Sequence, residues 1–197
     1  MNCIHVLDDV IDNSALKECQ RSLLEPLTKS TRELWFNLDT KHVYQEFCLS
    51  MIHLANSYYN LQDCSGYEFW AHRNSRPPEP RWHIDCDERR KHEDDLMTFP
   101  LCSIVYYPYV GKITGGNLRI SHNTEVKLHS DKETFNKVRS EHVDGNPLCD
   151  IIVPKTNRMV IFPPGKFHMV EDFCGERYSF VINPWDGVKY KYPITTS

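Results

Sequence analysis

Lys166-Phe167-His168-Met169-Val170, followed by Arg177-Tyr178-Ser179-Phe180, is the stretch from which the rest of the chain can be read. If both runs are strands, His168 shares a face with Val170, and Arg177 shares one with Ser179. Far upstream, Arg81-Trp82-His83-Ile84-Asp85 sets a histidine and a carboxylate one residue apart. On a strand, such a pair projects from one face and both side chains can reach one ion. On a helix they would stand roughly 200° apart, so the spacing argues for a strand. Two histidines and one carboxylate are the smallest protein set that holds a ferrous ion and leaves positions open for oxygen and a chelating ligand. Arg177, on an inward face, would be costly to bury alone and becomes reasonable if it forks onto a carboxylate.

His129-Ser130-Asp131 repeats the spacing, but it falls in a polar insert and not in a β-like run, so His83 and Asp85 are preferred. The remaining histidines (His5, His42, His53, His72, His92, His122 and His142) lack such an arrangement and read as surface or core residues.

From Gly66 onward, Pro, Gly and Asn/Asp clusters separate short runs rich in Val, Ile, Phe and Tyr, the texture of an all-β unit. Eight strands are expected near 67–73, 81–86, 99–108, 116–121, 149–153, 158–162, 167–171 and 177–183. Ser103, Val105 and Tyr107 share a face of the third. Pro154-Lys155-Thr156-Asn157 reads as a hairpin turn. Before Gly66 the periodicity is helical. Asn13 or Ser14 caps a helix running to about Leu24, ended by Pro26, and the ambiguous run 31–38 follows. A stronger helix places Tyr44, Phe47, Cys48, Met51, Ile52 and Ala55 on one side, to lie across the outside of a sheet. Two polar segments interrupt the strands, a charged run over 86–98 and an insert over 122–148 with a short helix around 132–138. Both are candidate lids over a site.

The expected fold class is mainly β (α+β), a double-stranded β-helix of jelly-roll or cupin-like kind with N-terminal supporting helices. It forms one domain, with a helical layer over 1–65, a β core over 66–185 and a tail over 186–197. A chain of 197 residues suits one sizeable core. With a net charge of -4 and no Lys/Arg block, nothing points to nucleic acid. The start lacks a basic n-region and a long apolar run, and no segment reaches the roughly 18 apolar residues of a membrane helix. The expectation is therefore a cytoplasmic protein without membrane partners. Eight cysteines without a Cys-x-x-Cys pair read as reduced, mostly structural thiols, with Cys86, next to Asp85, the one to watch for oxidation.

Residues 81–185 resemble the core of the Fe(II)/2-oxoglutarate-dependent oxygenases, in the prolyl 4-hydroxylase-like branch. The resemblance rests on His83-Ile84-Asp85, Val105-Tyr106-Tyr107, Gly115-Gly116-Asn117-Leu118, Val160-Ile161-Phe162-Pro163-Pro164, His168-Met169-Val170 and Gly175-Glu176-Arg177-Tyr178. It implies that His83, Asp85 and His168 are iron ligands and that Arg177 pairs with the C5 carboxylate of 2-oxoglutarate. Tyr107 would donate to the same carboxylate, with help from Ser179. It implies Fe(II), 2-oxoglutarate and O2 as the reacting set, with ascorbate as a stimulant. Succinate and CO2 would be co-products, and a C–H bond of an amino acid, peptide or small polar metabolite would be oxidised, most simply hydroxylated. Halogenating relatives replace the ligand carboxylate by a small residue, and this chain keeps Asp85. Arg73, Arg76 and Arg81 are candidates to meet an acidic substrate. The competing readings are a cupin-like metal enzyme that does not use 2-oxoglutarate and a non-catalytic binding barrel. Arg177 on the inward face favours the first reading over the cupin-like one, and the intact Asp85 and His168 favour it over the binding barrel.

Overall fold

The structure, a computed structural model, describes residues 3–25, 27, 34–73, 82–142 and 147–187. Among the described residues, nine strands run in chain order: β1 (His5–Leu7), β2 (Leu34–Asn37), β3 (Cys64–Arg73), β4 (Ser103–Gly115), β5 (Leu118–Glu125), β6 (Cys149–Ile152), β7 (Arg158–Phe162), β8 (Lys166–Val170) and β9 (Phe173–Asp186). They form a six-stranded sheet in the order β1-β7-β4-β9-β3-β2 and a three-stranded sheet in the order β6-β5-β8, every pairing antiparallel. This is the jelly-roll-like, mainly β architecture expected from the strand texture.

The helices are α1 (Asn13–Cys19), continued by a π-helical turn (Gln20–Leu24), α2 (Gln45–Ala55), α3 (Glu88–Glu93) and α4 (Lys132–His142). Asp12, one residue before the predicted cap, accepts from the backbone N–H groups of Ser14 and Ala15 and starts α1.

Strand alternation divides the large sheet into two faces. On the outer one, Phe69, Ile104, Tyr106, Ile161, Phe180 and Ile182 pack against Cys48, Met51, Ile52 and Ala55 of α2 and Leu23 and Leu24 of the π-helical turn. Full burial of each large side chain stabilises by roughly 1.5–3 kcal/mol, so the helices are held by packing. On the opposite face, Val105, Tyr107, Val160, Phe162 and Val181 meet Leu118, Ile120 and Ile152 of the small sheet. A third cluster joins Ile84, Met97, Phe99, Val126, Phe135 and Phe167.

Gly115 and Gly116 turn β4 into β5 at φ 77° and 76°, and a Cβ at Gly115 would lie 2.2 Å from the Asp172 carbonyl oxygen. Glycine is required there, which is why the strand expected from residue 116 begins only at Leu118. The strand expected over 81–86 is also absent among the described residues. His83 makes a single antiparallel bridge to His168 and the chain then leaves the sheet. Pro77, Pro78 and Pro80, just upstream, have no N–H to give a ladder. In place of a charged loop, 86–98 contains α3, started by Asp87, whose carboxylate accepts from the N–H groups of Arg89 and Arg90 at 3.1 Å. Helix α4 is longer than expected and is seated by Phe135 stacking on Phe167 at 5.5 Å.

All eight cysteines are free. Burial pushes the Cys86 thiol well above its usual range, so it is a poorer target for oxidation than its position suggests. No helix among the described residues is long and apolar enough to cross a membrane.

His42 reports on the packing of α2. Its ring stacks on Phe36 at 3.5 Å, Nδ1 accepts from the Tyr44 N–H, and Nε2 meets the Tyr67 hydroxyl at 2.8 Å. Burial pulls its pKa from 6.5 to about 4. Between those values the unfolded chain binds a proton that the folded chain refuses. Stability at this site is therefore complete above pH 6.5 and falls as pH drops toward about 4. Urea unfolding as a function of pH should show this slope, and His42→Gln should flatten it.

Candidate metal centre

The metal ligands expected from the sequence converge. One donor atom from each of His83, Asp85 and His168 lies within 4.8 Å of the others. Asp85 Oδ1 is 4.0 Å from His83 Nε2 and 3.6 Å from His168 Nε2. The bridge between the two histidines places them: the His83 N–H donates to the His168 carbonyl at 3.0 Å, and the His168 N–H to the His83 carbonyl at 2.8 Å. A single bridge at His83 is enough to bring the Asp85 carboxylate to the same point without a full strand. The rival pair is dispersed. His129 sits in a turn at φ 63°, and Asp131 accepts from the Thr134 N–H at the start of α4.

Each donor is oriented by its neighbours. His168 Nδ1 lies 3.0 Å from the Lys166 carbonyl oxygen, which places the ring proton on Nδ1 and leaves Nε2 for a metal. Ser103 donates its hydroxyl to Asp85 Oδ2 at 2.8 Å, leaving Oδ1 toward the imidazoles. Burial alone would raise the Asp85 carboxyl, but His168, His83 and Ser103 outweigh it and hold the group well below the usual carboxylate range. The side chains of Asp85 and His168 are each 8 % exposed, and that of His83 is 54 % exposed. The centre therefore opens on the His83 side. Two neutral imidazoles and one carboxylate suit Fe(II) and leave further positions to other ligands. Ser103→Ala should weaken Fe(II) or Co(II) binding by roughly 10–100-fold, measured by titration of the metal-free protein.

Arg177, Ser179 and Tyr107 all lie on the interior face of the large sheet. Arg177 is buried, donates Nη1 to the Gly116 carbonyl at 2.8 Å, and places its guanidinium 5.7 Å from the Tyr107 ring centroid and 4.7 Å from that of Phe173. The Tyr107 hydroxyl is buried and has no hydrogen-bond partner. Burial holds it above the usual phenol range, so it remains a donor despite the nearby Arg177 and Arg158. A buried guanidinium beside an unsatisfied phenol O–H has the chemistry to receive a carboxylate.

The arginines suggested for substrate do not join this group. Arg73 lies on the outer face, with Nη1 donating to the Leu27 carbonyl at 2.7 Å and its guanidinium 5.7 Å from the Tyr178 ring. Arg76 and Arg81 lie outside the described residues. Two residues that the sequence reading passed over do join it. His72 pairs with Ser179 across β3 and β9, and burial, with Arg177 and His83 nearby, pulls its pKa to about 4. Its parity with Trp70 on β3 was the available signal. Asn183 lies on the same interior face of β9 as Arg177 and Val181 and is wholly buried. The segments named as candidate lids pack beside the centre, through Met97, Val126 and Phe135 against Ile84 and Phe167.

No protein-family model matches the chain, and no curated protein matches it by sequence. Solved structures do match. A prolyl-4-hydroxylase from Pseudomonas putida superposes with a TM-score of 0.59 at 16 % identity, covering 95 % of each chain. A prolyl hydroxylase from Trichoplax adhaerens, in complex with a hypoxia inducible factor peptide fragment, gives 0.57 at 14 % identity over 94 % of this chain and 84 % of its own. Apo HygX from Streptomyces hygroscopicus gives 0.58 at 11 % identity over 100 % of this chain and 90 % of its own. The fold is that of the 2-oxoglutarate/Fe(II) oxygenases, in its prolyl hydroxylase-like form.

Proposed function

We propose that this chain, built on the prolyl hydroxylase-like oxygenase fold, is an Fe(II)- and 2-oxoglutarate-dependent oxygenase that hydroxylates a C–H bond of a peptide or amino acid. The observation that carries the reading is the convergence of His83, Asp85 and His168, with Arg177 and the unsatisfied Tyr107 hydroxyl on the interior face beside them. When bound, iron and 2-oxoglutarate supply oxygen activation, giving succinate and CO2 and delivering one oxygen atom to the substrate.

The chain's own residues do the rest. His83, Asp85 and His168 hold the iron, with Ser103 and the Lys166 carbonyl fixing two of the donors. Arg177 and Tyr107, supported by Ser179, would bind the far carboxylate of the co-substrate and orient it. The Val105, Leu118, Ile120 and Val181 interior keeps water from the co-substrate and strengthens the charge interactions within. The peptide held by the Trichoplax neighbour supports a peptide as the substrate class.

Anaerobic titration of Fe(II)-loaded protein with 2-oxoglutarate tests the assignment. A saturable visible charge-transfer band between iron and the keto acid supports it. Iron binding without a band would sink the co-substrate, and no iron binding would sink the oxygenase reading.

A further inference from the structure

Asn183 is wholly buried, and neither its Nδ2 nor its Oδ1 has a hydrogen-bond partner. Two polar atoms on one buried side chain with no partner in the protein call for a partner from outside it. Their place is specific. Ile104 pairs with Ile182, so the next step of that register sets Asn183 beside Ser103, whose hydroxyl holds Asp85. On its other side Asn183 pairs with Glu68, which accepts from the Trp185 indole N–H at 2.8 Å. Asn183 thus stands in the layer of the barrel interior that carries the metal-binding carboxylate.

We propose that Asn183 recognises an amide of the substrate, an inference that rests on the oxygenase reading above. A carboxamide offers one donor edge and one acceptor edge. An anion would satisfy only Nδ2, and an ammonium group only Oδ1. A residue in extended peptide backbone presents its N–H and C=O on one edge, as paired strands do, and satisfies both. The substrate is therefore a peptide or other secondary amide, placed with a C–H bond of the adjoining residue near the metal.

The test uses the full chain with Zn(II) and 2-oxoglutarate added, which cannot turn over. A panel of acetylated, amidated dipeptides is compared with the free amino acids by thermal shift. At least one blocked peptide, at ten times its Kd, should raise the Tm by roughly 3 °C. Asn183→Leu should weaken that peptide at least tenfold, with Asn183→Asp between the two. Removing two unsatisfied atoms should also raise the Tm of ligand-free Asn183→Leu by roughly 2–4 °C. The proposal is overturned if no blocked peptide shifts the Tm, if only free amino acids do, or if Asn183→Leu binds peptide as tightly as wild type. A fall in the Tm of ligand-free Asn183→Leu overturns it too, because the carboxamide would then be bound by structural water. The charge-transfer band of wild-type protein reports separately on the oxygenase reading.

Discussion

His168→Ala is expected to abolish the charge-transfer band formed by Fe(II) and 2-oxoglutarate. Of the three candidate ligands, His168 alone is both on a paired strand and buried, with Nε2 turned to Asp85 by the Lys166 carbonyl behind it. Alanine removes one of three protein donors, so the loss of iron affinity should exceed the roughly 10–100-fold that follows from losing a supporting hydrogen bond such as that of Ser103. The backbone bonds between residues 83 and 168 do not depend on the side chain, and Phe167 still packs on Phe135. The variant should therefore fold. The measurement pairs the band with the rise in Tm on adding Fe(II): wild type shows both, His168→Ala neither. His129→Ala, in the rival pair, should keep both. A band retained by His168→Ala would remove it from the centre.

How much of this could be read beforehand depends on which signals are local. Strand β7 was legible to the residue because Arg158–Phe162 is a compact apolar run just after a Pro-Asn turn. The candidate metal-binding set is carried by its spacing alone: the interval between His83 and Asp85 predicts a strand, where the structure has a single bridge to His168. Helix α3 was hidden because its capping residue, Asp87, sits inside a charged run, and acidic composition masks a cap. His72 and Asn183 were hidden for a different reason. Each owes its position to cross-strand register, with Ser179 and Glu68 respectively. Register is set by pairings between residues more than a hundred positions apart, which no local pattern carries.

Arg177→Gln is expected to weaken 2-oxoglutarate binding by roughly 10²–10⁴-fold, since two charge-assisted hydrogen bonds at about 1.5–3 kcal/mol each would be lost. Fe(II) affinity should stay near that of wild type, because the described contacts of the guanidinium are with Gly116, Phe173 and Tyr107, none of them a candidate metal ligand. Glutamine keeps a donor for the Gly116 carbonyl and adds no buried charge, which makes collapse of the fold a poor explanation for the loss. Tyr107→Phe should cost less, near tenfold, because it removes one neutral donor that is already unsatisfied without ligand. The sharper test is a comparison of two keto acids. 2-Oxobutyrate can chelate iron as 2-oxoglutarate does but has no far carboxylate. Wild type should prefer 2-oxoglutarate by two or more orders of magnitude in an anaerobic titration, and Arg177→Gln should erase most of that preference by losing affinity for 2-oxoglutarate alone. Equal weakening toward both acids would mean that Arg177 shapes the interior without binding the carboxylate. An unchanged preference would place the carboxylate receptor elsewhere in the barrel.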